Sequence, residues 1–386
     1  MNAVLLRFGV IGRSRAACAA AFLFFGNGFM FANWIVRIPA VKDGLGLSEG
    51  TLGLALTAMG VGGILAMPFG GALAARFGSG VIAPMAGFVF ALCAMGVGFA
   101  GGAIGLAAAL FLIGIANGAM DVTMNAQAAA VEAKERLRVM SFCHAMFSLG
   151  MAMGTIPAGA FAVAEVSVAL HLALLGVPMA AVLGACWLFA VGDPPHEGPP
   201  PPAFALPRGP LLVFGAICFC GAIVEGGMND WIVIYVEDEL GAGPASAALA
   251  FFAFSAAMFL ARLFGDFITE AFGMAGVVRV GMLVAAAGLL LTVMGSPAAA
   301  VIGAAFVGVG VAGVFPAVFR AAGRLPGRPA GPSMAAAVTL GYTGFLFGPT
   351  FIGFVAEATS LGLALGALVP LTLIAALLAP ALRKGE

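Results

Sequence analysis

Residues 33–46 read NWIVRIPAVKDGLG and residues 230–241 read DWIVIYVEDELG. Each stretch sets a polar residue before Trp-Ile-Val and ends on Leu-Gly, at Leu45-Gly46 and Leu240-Gly241. A further marker keeps the register. Phe77-Gly78 follows the first copy and Phe272-Gly273 the second, and the steps Gly46–Gly78 and Gly241–Gly273 are both 32 residues. A shared Trp-Ile-Val could arise by chance, but three markers in one register point to a duplicated unit.

Composition names the solvent around that unit. Of 386 residues, 62% are hydrophobic and 9% charged, against about 25% charged in an ordinary soluble domain. One water-soluble core could not bury so much apolar surface and keep a polar exterior, so lipid is part of the solvent. Formal net charge is zero, which gives nucleic acid no handle. The 57 glycines suit helices that approach closely within a bilayer.

A spanning helix needs about 20 mostly apolar residues, and only helices or closed barrels satisfy their backbone groups in hydrocarbon. The apolar runs are long and lack barrel-like alternation. They predict twelve transmembrane helices, near 16–37, 50–73, 80–100, 103–131, 139–163, 168–191, 211–235, 245–264, 275–295, 298–319, 333–356 and 361–381. The first run is longer than the ~7–15 residues of a signal-peptide core and has a counterpart in the second half, so it reads as a span.

Charge gives the orientation. With a cytoplasmic N-terminus, only Arg37 and Lys42 of the 17 Lys and Arg fall outside. Arg7, Arg13, Arg15, Arg76, Lys134, Arg136, Arg138, Arg208, Arg320, Arg324, Arg328, Arg383 and Lys384 fall inside, and Arg262 and Arg279 flank an inner loop. This is the positive-inside asymmetry. It places both termini on the cytoplasmic side. The segment 192–210, GDPPHEGPPPPAFALPRGP, is extended by its prolines and divides six spans from six. The expected organisation is an N-terminal six-helix bundle over 1–191, a linker over 192–210 that carries a solvated His196, and a C-terminal six-helix bundle over 211–386. Six spans separate the copies, so the repeat is parallel. Two parallel halves with a site between them at the midplane is a transporter architecture. Cys18, Cys93, Cys143, Cys186, Cys218 and Cys220 all lie in apolar runs and read as small packing residues. No cofactor is expected.

Particular stretches carry a family resemblance. GALAARFGSG (71–80) resembles the major facilitator superfamily signature G-x-x-x-D-R-x-G, with Gly71, Arg76 and Gly78 in place and Ala75 where the acid stands. Arg262, Gly265, Asp266 and Gly273 form a weaker second copy. The resemblance implies a charge latch involving Arg76 and Asp266, with the missing acid at Ala75 setting the first copy apart. ANWIVRIPAVKDGLGLS (32–48), NGAMDVTMNAQAAAVE (117–132), SFCHAMFSLG (141–150) and GYTGFLFGPTFIG (341–353) resemble the YbjJ/MosC-type branch over essentially the whole chain. A more distant similarity is to proton-coupled fucose permeases, whose acid in span four falls here on Asp121, with Asn125 following it. The family implies the twelve-helix fold and a solute carrier.

Polar side chains inside a membrane are costly and usually face a cavity or a partner. Asn117, Asp121 and Asn125 are four apart on span four and share a helical face. A carboxyl held there can take up and release a proton, as proton coupling requires; the bland reading is a structural acid bonded to its neighbours. His144 and Ser148 are i,i+4 neighbours on span five, and a histidine can relay protons or simply pack. Glu225 and Asn229 share a face of span seven, and Glu225 is a second intramembrane acid. Asn27, Asn33 and Trp34 on span one, Asp230 and Trp231 on span seven, and Tyr342 on span eleven complete the candidate substrate contacts. The two Trp residues either anchor at the membrane interface, stack on a substrate or plug the outer gate. Arg37 either marks the interface or pairs with Asp230 or Asp43. His171 reads as packing.

The expected protein is a secondary carrier, working as a monomer, with a small polar, sugar- or polyol-like substrate and protons as partners. Asp121 is the coupling acid, assisted by Glu225 or His144. A proton-antiport exporter of drugs or metabolites is the alternative. An intramembrane enzyme or sensor would need a catalytic cluster or an appended soluble domain, and no phosphate loop or hydrolase motif is present.

Overall fold

The computed structural model describes residues 12, 14–193, 206–327 and 330–385. Arg7, Arg13, His196, Arg328 and most of the proline-rich linker lie outside the described residues. Twelve helices are long and apolar enough to cross a membrane: α1 (Arg15–Leu45), α2 (Glu49–Phe77), α3 (Ser79–Phe99), α4 (Ala103–Glu135), α5 (Met140–Val163), α6 (Val168–Phe189), α7 (Pro210–Glu239), α8 (Gly243–Leu263), α9 (Gly265–Thr292), α10 (Pro297–Gly323), α11 (Pro332–Ala358) and α12 (Leu361–Gly385). The ends richer in Lys and Arg are called inner below.

Local chemistry sets several ends. Ser14, Ser48, Ser167 and Ser360 each cap a helix by accepting a backbone N–H three residues on, which satisfies a donor the helix leaves open. Glu132, on the inner turn of α4, accepts from the backbone N–H of Val139 (2.7 Å) and Met140 (2.9 Å) and so caps α5. α1 runs past the expected end at 37. It turns at Val36–Arg37 and resumes as Ile38–Leu45, with Pro39 in its first turn, where a proline costs no helical hydrogen bond. α9 is broken at Gly273 (φ 69°, ψ 166°), a left-handed φ that a Cβ would strain. The spanning part of α9 lies beyond that break, as expected from residue 275.

The packing repeats with a period of six helices. α1 packs on α5, α2 on α4 and α3 on α6; α7 packs on α11, α8 on α10 and α9 on α12. Two seams join the sets, α2 with α11 and α5 with α8. Adding six to one seam gives the other, as a twofold pseudo-axis along the membrane normal requires. Glycines bring backbones together at the first seam. A Cβ at Gly53 would lie 2.6 Å from the Pro349 carbonyl oxygen, so at this point α2 and α11 meet backbone to backbone.

Candidate functional site

α4 presents Asp121 near its middle, and α11 brings Tyr342 opposite. The Tyr342 hydroxyl donates to Asp121 Oδ2 at 3.3 Å. The Asn125 side-chain amide donates to the Asp121 backbone carbonyl (2.8 Å) and, more loosely, to Asp121 Oδ1 (3.4 Å). Asn125 Oδ1 lies 3.1 Å from His144 Nε2 on α5, and Phe24 of α1 packs edge-on against the imidazole at 5.1 Å. All four polar residues are half-buried. The Asp121 carboxyl is thus held at the seam between the halves.

A second polar group crosses the other seam. Arg262 on α8 donates from Nη1 to Ser148 Oγ on α5 at 2.7 Å and from Nη2 to Glu225 Oε1 on α7 at 3.2 Å. The Arg262 and Glu225 side chains are only 11% and 9% exposed, and Ser148 is fully buried. Ser148 follows His144 by one turn, so the two groups are neighbours on α5.

Of the expected substrate contacts, Asn27 and Asn117 meet directly: the Asn27 amide donates to Asn117 Oδ1 at 2.8 Å and touches Met120 Sδ at 3.2 Å. Asn229 is half-buried, and its Oδ1 is buried with no hydrogen-bond partner among the described residues. Asp230 is buried, and its side chain makes no hydrogen bond or ion pair among the described residues. Three expectations are corrected. Asn33 is fully buried, donates to the Phe29 carbonyl (2.8 Å) and faces His171 Nε2 through Oδ1 (2.8 Å). It therefore ties α1 to α6 inside the N-terminal bundle and does not face the seam. Trp34 and Trp231 are buried in helix packing, so neither offers a free ring face to a substrate here, and burial accords with the outer-gate plug among the readings offered for them. Arg37 is buried and donates to the Val166 carbonyl at 2.7 Å, bonding neither Asp230 nor Asp43.

The latch residues also separate. Arg76 is exposed, lies over the neighbouring Phe77 ring at 5.1 Å, and forms no ion pair among the described residues; with Ala75 in the acid's place it has no adjacent carboxylate to hold. Asp266 does pair, with Arg320 of α10, inside the C-terminal set. Arg262 is a seam side chain that the sequence reading placed only beside an inner loop and in the second copy of the signature. Its signal was indirect: Glu225 is an intramembrane acid with no cation on its own helix, so it needed one from elsewhere.

On the outer side the halves are closely joined. Thr57 Oγ1 and Thr350 Oγ1 are 2.6 Å apart. Glu357 of α11 accepts from the Gly50 backbone N–H (2.9 Å) and the Ser48 hydroxyl (3.2 Å) at the start of α2. Lys42 bridges Asp238 (2.9 Å) and Glu49 (3.3 Å). Beside these contacts Glu49, Asp238, Glu239, Glu357 and Ser360 line an acidic recess of about 260 Å³.

A duplicated set of six membrane-spanning helices with polar links across both seams has the architecture of a polytopic transport protein. Residues 18–238 match the Major Facilitator Superfamily, and the chain belongs to that family: it is a multi-pass membrane transporter and not an enzyme. An uncharacterized MFS-type transporter of Yersinia pestis is 34% identical over 374 residues, covering 94% of each chain. The membrane protein MosC of Rhizobium meliloti is 30% identical over 368 residues, covering 92% of this chain and 87% of its own. Among solved structures, a D-xylose-proton symporter superposes with a TM-score of 0.77 at 15% identity, over 95% of this chain and 96% of the other. That last likeness speaks for the fold alone.

Proposed function

We propose that the protein is a proton-coupled secondary carrier of a small polar, sugar- or polyol-like solute, working by alternating access in a bacterial inner membrane with both termini cytoplasmic. One observation carries the reading: the Asp121 carboxyl stands where the two halves meet and is bonded from each, by Asn125 on its own helix and by Tyr342 across the seam. A proton on Asp121 changes what Tyr342 and Asn125 can donate to, so loading the acid and parting the halves are linked events. Asn27, Asn117, Asn125 and Asn229 bring amides, and Tyr342 a hydroxyl, that match a hydroxylated solute better than an apolar drug. Rocking of the two sets about a midplane site is the motion a parallel repeat permits.

The test uses purified protein in proteoliposomes. A thermal-shift screen of sugars, polyols and amino sugars first finds a ligand, since a solute that binds the native state raises its stability. Uptake of that ligand is then driven by an imposed pH gradient. The reading expects accumulation by the wild type, and exchange without accumulation by Asp121→Asn. Full gradient-driven accumulation by that variant removes Asp121 from coupling, and export of hydrophobic cations without uptake of polyols replaces the carrier reading with a drug antiporter.

A further inference from the structure

The links between the halves are unequal at the two ends. Outside, Lys42, Ser48, Gly50, Gly53 and Thr57 of one set hold Asp238, Thr350 and Glu357 of the other. On the inner side of the midplane the described residues make two polar links, Tyr342 to Asp121 and Arg262 to Ser148. Any opening to the cytoplasm has to break both. The Arg262 link is the shorter of the two, 2.7 Å against 3.3 Å, and joins a charged donor to a hydroxyl shut away from water, where charge-assisted bonds are strong.

Its second bond gives the tether a rest position. Nη2 is held by Glu225, which belongs to the same half as Arg262. When α5 moves away from α8, Ser148 leaves but the guanidinium keeps its counter-ion, so the motion does not strand an unpaired buried charge, which would cost several kcal/mol. A lysine at this place would keep the charge but not the planar fork that serves two partners at once.

We infer that Arg262 is the inner-gate tether of this carrier: it closes the cytoplasmic side by bonding Ser148 across the seam, and Glu225 positions it for that bond. The inference rests on the alternating-access reading but not on the identity of the solute or of the coupling ion. Arg262 acts here as a positioning residue, and its effect is read as a population of gate states.

Spin labels on cysteines at Lys134, on the inner turn of α4, and Arg324, just past α10, measure the inner separation of the halves in a background lacking the native cysteines. Both positions are exposed. Double electron–electron resonance on the reconstituted protein, without solute, gives the open-to-closed ratio. Ser148→Ala, Arg262→Lys and Arg262→Gln are each expected to raise that ratio by about tenfold, the equivalent of ~1.4 kcal/mol. Glu225→Gln, which frees the guanidinium without removing it, is expected to broaden the closed distance distribution. If Arg262→Gln fails to fold, Ser148→Ala and Arg262→Lys still decide. Wild-type distributions in both overturn the tether. A wild type that shows one fixed distance in every condition, with and without ligand, instead overturns alternating access itself.

Discussion

Tyr342 and Asp121 lie 221 positions apart in the chain, on helices from opposite halves, and their side chains meet at 3.3 Å. The contact joins the candidate coupling acid to the half that has to move past it. Removing the hydroxyl by Tyr342→Phe keeps the ring and its packing and deletes only the donor. A hydrogen bond to an ionisable partner contributes about 1.5–3 kcal/mol. Turnover is therefore expected to change by roughly ten- to a hundredfold, with a smaller change in the apparent affinity for solute. In a double-mutant cycle with Asp121→Asn the two effects are expected to be strongly non-additive; simple additivity in transport rate would mean the residues work separately.

The outer seam offers a direct lock. With Thr57 Oγ1 and Thr350 Oγ1 at 2.6 Å, cysteines at both positions are within reach of a disulfide, which needs Cβ atoms about 3.5–4.5 Å apart. In a background without the native cysteines, oxidation of Thr57→Cys/Thr350→Cys is expected to form the cross-link in nearly all molecules and stop transport, and reduction to restore it. Transport that continues through a fully oxidised sample would show that the outer ends need not part.

How far the sequence carries the reader differs by level. The twelve spans and the repeat rest on signals spread over many residues, apolar runs and the paired Trp-Ile-Val segments, so local errors at Val36–Arg37 or at the Gly273 break leave the architecture intact. Asp121, Asn125, His144 and Tyr342 were legible as candidates because polar groups in hydrocarbon are conspicuous. Their partners were not. Spacing along one helix places Asn125 on the face of Asp121, but nothing local says that Arg262 reaches Ser148 rather than the cytoplasm, because the bond depends on how α8 crosses α5. Asn33 shows the opposite failure. It looks like a cavity amide until His171, 138 positions away, supplies the partner that seals it.

Close helix contact on the outer seam depends on Gly53, where a Cβ would sit 2.6 Å from the Pro349 carbonyl. Backbone cannot yield as a flexible side chain does, so Gly53→Ala is expected to push α2 and α11 apart and destabilise the outward-closed arrangement by about 1–3 kcal/mol. Thr57, one turn further along α2, should then be exposed to solvent more often. A single cysteine at Thr57 is expected to react with a membrane-impermeant maleimide several-fold faster in the Gly53→Ala background than with Gly53 present. Equal labelling rates would place the closing contact elsewhere.

The Asn33–His171 pair separates structural from transport roles. His171 is fully buried, bonds Asn33 at 2.8 Å and packs on Phe161 with ring centroids 4.9 Å apart. His171→Ala removes both contacts and leaves Asn33 Oδ1 buried without a donor, a loss expected to cost about 2–3 kcal/mol. Thermal unfolding in detergent should record that loss as a lower midpoint. Gradient-driven uptake per folded molecule should stay close to wild type, because neither residue reaches the seam. Unchanged stability with lost transport would return Asn33 to the solute pathway.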